Sequence, residues 1–243
     1  MTWIDGGYPA REQADHRPSS DRDGVVPEGR SPAAGGATRW IIPVGVAAGY
    51  ALLTLAVHLR LLDALDLAIR DVYRPGNVWG PLQIRADRFI KWLQPEHLAV
   101  PLLLLVAGLS LLRRSLRPVV VLAAVGVPVA IATLGTKWIM AHSEGNPLPV
   151  GHGSFPSGHT VSVIFAFGLA LLLLRPDTRW GWIIPAAMGC LMGWALVVVV
   201  MHPATDVIGA CLLAAAVLAS ARAIGLGQWA SDRQRRVGGR VRR

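Results

Sequence analysis

Two short stretches carry residue types at spacings that suit phosphoryl chemistry. Phe155-Pro156-Ser157-Gly158-His159-Thr160 reads as a Gly-containing turn that opens a helix and carries a histidine. His202-Pro203-Ala204-Thr205-Asp206 sets a histidine and an aspartate four apart, hence on one helical face. The free N–H groups of a helix N-terminus suit a phosphate. A histidine backed by a carboxylate suits a nucleophile or a general base. Each stretch lies at the polar mouth of a long apolar run, so together they point to phosphoryl transfer at a membrane surface. Lys137 ends another apolar run on the same predicted face, and ionisable groups so close to lipid are functional by default.

The elements that must position these residues are membrane spans. Of 243 residues, 53% are hydrophobic and only 16% charged, the profile of a polytopic membrane protein. Residues 1–38 are rich in Pro, Gly, Ser, Asp and Arg and read as a disordered tail without the apolar core of a signal peptide. Six apolar runs follow, at about 40–60, 97–112, 118–139, 158–174, 181–201 and 204–224. Most approach the ~20 residues that a bilayer helix needs. The expected fold is all-α: a six-transmembrane helix bundle over residues 39–225, followed by a basic tail over 226–243. Between the first two runs, Leu61, Leu62, Leu65 and Ile69 repeat at helical spacing among Asp63, Asp66 and Arg70. With Ile84, Phe89, Trp92 and Leu93 they predict two short interfacial helices joined around Pro75-Gly76-Asn77.

Charge sets the expected orientation. Arg113, Arg114 and Arg117, then Arg175 and Arg179, then the Arg-rich tail all fall on one side, which the positive-inside rule makes cytoplasmic. Both termini are then cytoplasmic and the site extracytoplasmic, in a multi-pass protein of the plasma membrane. The net charge of +9 is better matched to anionic lipid than to nucleic acid, because the basic tail follows a span. Cys190 and Cys211 lie inside apolar runs and imply neither a disulfide framework nor a metal site. Gly189 and Gly193 form a G-x-x-x-G read as local packing within the bundle.

Lys137, Pro156-Ser157-Gly158-His159 and His202-x-x-x-Asp206 together resemble the signature of the type 2 phosphatidic acid phosphatase superfamily. Its members are integral membrane lipid phosphatases and their relatives, the bacterial acid phosphatases and vanadium haloperoxidases. The resemblance covers about residues 50–224, and the run Asp206-Val207-Ile208-Gly209 extends it. It implies that His202 attacks phosphorus, that Asp206 orients His202, and that His159 protonates the leaving oxygen and then activates water. It also implies that Ser157, the Gly158 N–H and Lys137 hold the phosphoryl oxygens, with no metal and no cofactor. The implied substrate is a lipid phosphate or a polyprenyl pyrophosphate drawn from the lipid bilayer.

The resemblance is broken at two positions. The family places an arginine seven residues after its lysine and another six residues before its second histidine; here Glu144 and Leu196 stand there, beside Gly145 and Ala195. One preorganised donor at developing charge is worth about 10²–10³ in rate, so losing two is a large change. His142, His152, Arg85, Arg88 and Lys91 are candidate substitutes on the same face. The leading expectation is a divergent lipid phosphate phosphatase. The alternatives are a lipid phosphotransferase of the same His-His-Asp type, and a non-catalytic protein that binds lipid headgroups or scaffolds. The sequence leaves oligomeric state open.

Overall fold

The computed structural model describes residues 38–142 and 154–231. The N-terminal tail, Glu144, Gly145, His152 and the arginines of the C-terminal tail lie outside the described residues. Among the described residues all regular structure is helical: α1 (Ile41–His58), α2 (Asp63–Tyr73), α3 (Pro81–Trp92), α4 (Pro95–Leu112), α5 (Arg117–His142), α6 (Gly158–Leu174), α7 (Trp180–Val198) and α8 (Ala204–Ala223). The six predicted apolar runs are thus six helices. Five helical stretches are long and apolar enough to cross a membrane, and α6, at 17 residues, is shorter. Pro95 starts α4 two residues ahead of the predicted run, at a first-turn position where its missing N–H costs nothing.

The short α6 is the central helix, packed by α4, α5, α7 and α8. Its residues Val163, Leu169, Leu172 and Leu173 are buried, as an apolar-all-round pattern requires. Close approach depends on small residues. A Cβ at Gly189 would come within 2.5 Å of Ile164, and one at Gly193 would strike Val207. The G-x-x-x-G therefore serves packing within the bundle, bringing α7 against α6 and α8.

The segment between α1 and α4 holds the two predicted short helices, joined by a single 3₁₀ turn at Pro75–Asn77 in which Gly76 takes φ 64°. Gln83 closes the joint by accepting from the Gly80 N–H at 2.9 Å and donating to the Tyr73 carbonyl at 2.9 Å. α3 buries Ala86 and Ile90 against α7, whereas α2 buries none of its residues.

At the opposite end, the arginines do structural work. Arg113 donates to the carbonyls of Leu173 (3.0 Å) and Ala230 (3.3 Å), and Arg117 to that of Trp229 (2.8 Å). Arg222 lies over the Trp182 ring at 4.1 Å. A basic, aromatic end of this kind belongs at a membrane–water interface.

α7 ends with Val200 in the left-handed region at φ 58°, while the Met201 N–H reaches back to the Leu196 carbonyl at 2.9 Å. Glycine is the usual residue there, and a β-branched side chain is strained. Val200→Gly is expected to raise stability by about 1 kcal/mol, read as a higher unfolding midpoint in detergent. A lower midpoint would show that contacts of the isopropyl group outweigh the strain.

Candidate active site

The six residues expected to act converge at the end of the bundle opposite the arginines. Lys137 comes from the last turns of α5; Ser157, Gly158 and His159 come from the start of α6; His202 and Asp206 flank the start of α8. Their placement follows from local chemistry. Ser157 caps α6 by accepting the Thr160 N–H at 3.4 Å, and its side chain is fully buried. Its own N–H donates to the Asp206 carbonyl at 3.1 Å, which staples the start of α6 to the start of α8.

Asp206 Oδ2 lies 2.9 Å from His202 Nδ1, and the side chains are 4% and 9% exposed. An ionised carboxylate only accepts, so Nδ1 carries a proton, and in the neutral imidazole Nε2 is then the nitrogen with the lone pair. Ser154 Oγ donates to the same Asp206 oxygen, which fixes the carboxylate from a second side. The His159 ring stands edge-on to that of His202, with centroids 6.4 Å apart. Lys137 Nζ donates to the Ser154 carbonyl at 2.6 Å. A Cβ built on Gly158 would meet no atom within 4 Å, so the start of α6 faces open space. The pieces suit an in-line displacement: a buried histidine with a free nitrogen, a second histidine beside it, a cation, and a helix N-terminus next to a void. Among the described residues no group of three or more His, Cys, Asp or Glu is arranged to hold a metal.

Sequence reasoning missed the residues that hold the loop before α6. Phe155 is fully buried and stacks on Tyr50 at 6.0 Å, and the Tyr50 hydroxyl bonds Thr136 at 2.9 Å, next to Lys137. Phe155 also lies against Gly209, where any Cβ would collide with its ring. The available signal was Gly209 itself: three residues after Asp206, it lies on the site's side of α8. Ser154 carried no signal.

The two positions that lack arginine have different outcomes. Glu144 is outside the described residues. Leu196 and Ala195 are fully buried in an apolar cluster with Met192, Val198 and the Ala86 and Ile90 of α3. Among the suggested substitutes, Arg85 and Arg88 are exposed on α3. Lys91, also exposed, pairs with Asp87 at 2.8 Å. His142 ends α5.

Residues 115–228 match the family model of the PAP2 superfamily, a stretch that contains α5 to α8 and every residue of this site. Among solved structures, the crystal structure of a transmembrane PAP2 type phosphatidylglycerolphosphate phosphatase from Bacillus subtilis has the same fold. It aligns with 73% of this chain and 92% of its own, at TM-score 0.58 and 19% identity. A comparison with curated proteins gives no match. A membrane bundle that sets Lys137, the Ser157-Gly158-His159 turn and the His202/Asp206 pair at one end matches the family model of the PAP2 superfamily over that whole region.

Proposed function

We propose that this protein is a membrane phosphatase that hydrolyses a lipid phosphate or pyrophosphate through a phosphohistidine on His202. The observation that carries the reading is the His202–Asp206 bond, which leaves Nε2 as the basic nitrogen. Nε2 attacks phosphorus while protonated His159 gives its proton to the departing oxygen. His159, now neutral, takes a proton from water as that water attacks the phosphohistidine, releasing phosphate and restoring both histidines. Asp206 stabilises the imidazolium, and Lys137, Ser157 and the Gly158 N–H neutralise the phosphoryl oxygens.

A lipid substrate is favoured by the setting. A mostly apolar cleft of about 320 Å³ lies between α1, α5 and α8, and its lining runs from Tyr50, Pro128 and Leu213 to Ile224 and Leu226 near the arginine end. Phosphatidylglycerol phosphate, named for the Bacillus subtilis protein, joins phosphatidic acid and polyprenyl pyrophosphate as substrates to assay. The test is phosphate release from this panel in detergent by the native chain and by His202→Ala. Release by the native chain alone supports the reading, and equal release by both removes it. The buried Leu196 favours a second reading, in which a lipid alcohol replaces water or the headgroup is bound without turnover. Product analysis separates these.

Gly158→Ala probes the phosphate seat. A methyl group fits the open space without a clash, so the unfolding midpoint should hold, while kcat/KM should fall by roughly ten-fold or more as the phosphate is pushed from the α6 N–H groups. Native kcat/KM would place the phosphate elsewhere.

The same reading divides the chain into a membrane domain over 39–225 with cytoplasmic tails 1–38 and 226–243, in the plasma membrane. The support is charge: Arg113, Arg117, Arg175, Arg179 and Arg222 cluster at the end away from the site. In a background lacking Cys190 and Cys211, a cysteine at exposed Val78 should react with an impermeant thiol reagent in intact cells. One at Leu116 should react only after permeabilisation. The inverse pattern reverses the topology.

A further inference from the structure

The first turn of α8 places both His202 and Asp206, yet it has no cap of its own. Its N-cap residue is Pro203, which makes no side-chain cap bond. The leading N–H groups of a helix need partners, and a carboxylate is the best match for the positive end of the helix dipole. The partner comes from elsewhere in the chain. Asp66 Oδ1 accepts the Thr205 N–H at 3.1 Å and Asp66 Oδ2 accepts the Thr205 hydroxyl at 2.6 Å, across 139 residues of sequence. Thr205 is buried at 3% exposure and sits beside Asp206.

We propose that Asp66 is a positioning residue for the His202–Asp206 pair. It belongs to α2, which buries none of its own residues and leaves Leu65 and Val72 exposed on its surface. The Asp66 clamp therefore ties a loosely packed amphipathic helix to the turn that carries the nucleophile. On the other side the turn is held by α7, where the Leu196 carbonyl accepts from the Met201 N–H at 2.9 Å and faces the His202 N–H at 3.5 Å. His202 thus sits between two tethers. Loss of the Asp66 tether frees the first turn of α8 to fray, and with it the alignment of Nδ1 on Asp206. Misplacement of a reacting group by about 1 Å costs on the order of 100-fold in rate.

The inference rests on the phosphohistidine reading for its kinetic part, and the test separates the two. The full chain, labelled with ¹⁵N-histidine in detergent micelles, reports the tautomer of His202, assigned by comparison with His202→Ala. Asp66→Ala should blur or erase the Nδ1–H signature and lower kcat about 10- to 100-fold, with KM changed less. Asp66→Asn, which keeps an acceptor for the Thr205 N–H, should restore much of both. Asp71→Asn, on the same helix but in an exposed pair with Arg70, should change neither. If Asp66→Ala fails to fold, Thr205→Val, which deletes only the 2.6 Å bond, serves in its place and should weaken the signature. A signature and kcat that stay native while only the melting temperature drops would make Asp66 a simple helix cap and overturn the proposal. A native chain without phosphatase activity, whose His202 signature still answers to Asp66, would sink the phosphatase reading and leave the positioning role standing.

Discussion

His202→Ala is expected to lower phosphate release by about 10⁴-fold or more, because no other group replaces an attacking nitrogen and the residual rate comes from binding alone. Trapping during turnover should label the native chain with acid-labile phosphate and leave the variant unlabelled. Asp206→Asn is expected to cost about 10³–10⁴-fold, since an amide can offer Nδ1 a donor instead of an acceptor and so stabilise the wrong tautomer. Its Ser154 contact is also weakened, so thermal unfolding should accompany the kinetics. Native labelling in His202→Ala would move the nucleophile to another residue and end this mechanism.

Leu196→Arg is expected to destabilise the protein by about 3–5 kcal/mol and not to raise activity. The family pattern alone invites the opposite result, since arginine at this position binds phosphate in the type 2 phosphatidic acid phosphatases. Here the side chain is fully enclosed by Ala86 and Ile90 of α3 and by Met192 and Val198 of α7. An arginine there either stays buried without a partner or drives α3 off the bundle to reach water. The comparison is detergent unfolding and phosphate release for native, Leu196→Arg and the near-isosteric Leu196→Met. Methionine should cost less than about 1.5 kcal/mol, being volume-conserving. A stable Leu196→Arg protein with faster turnover would show that the position is simply a lost arginine, and that the packing of α3 over it can open to admit the guanidinium.

The spans and the candidate reactive residues were legible in the amino-acid sequence, because both are local properties. Runs of apolar residues near bilayer length leave few alternatives to a helix, since backbone groups in lipid must be satisfied within the segment. The i, i+4 spacing of His202 and Asp206 and the turn residues before His159 likewise state their geometry directly, and the breaks at Glu144 and Leu196 were visible as departures. What the tertiary structure decided is how those residues are held. Ser154 on Asp206, Phe155 wedged between Tyr50 and Gly209, Asp66 on Thr205, and α3 covering Leu196 all join residues far apart in the chain. No period or spacing encodes such pairs. They arise only when the helices cross, because the crossing determines which side chains reach the two polar turns and which are sealed beneath them.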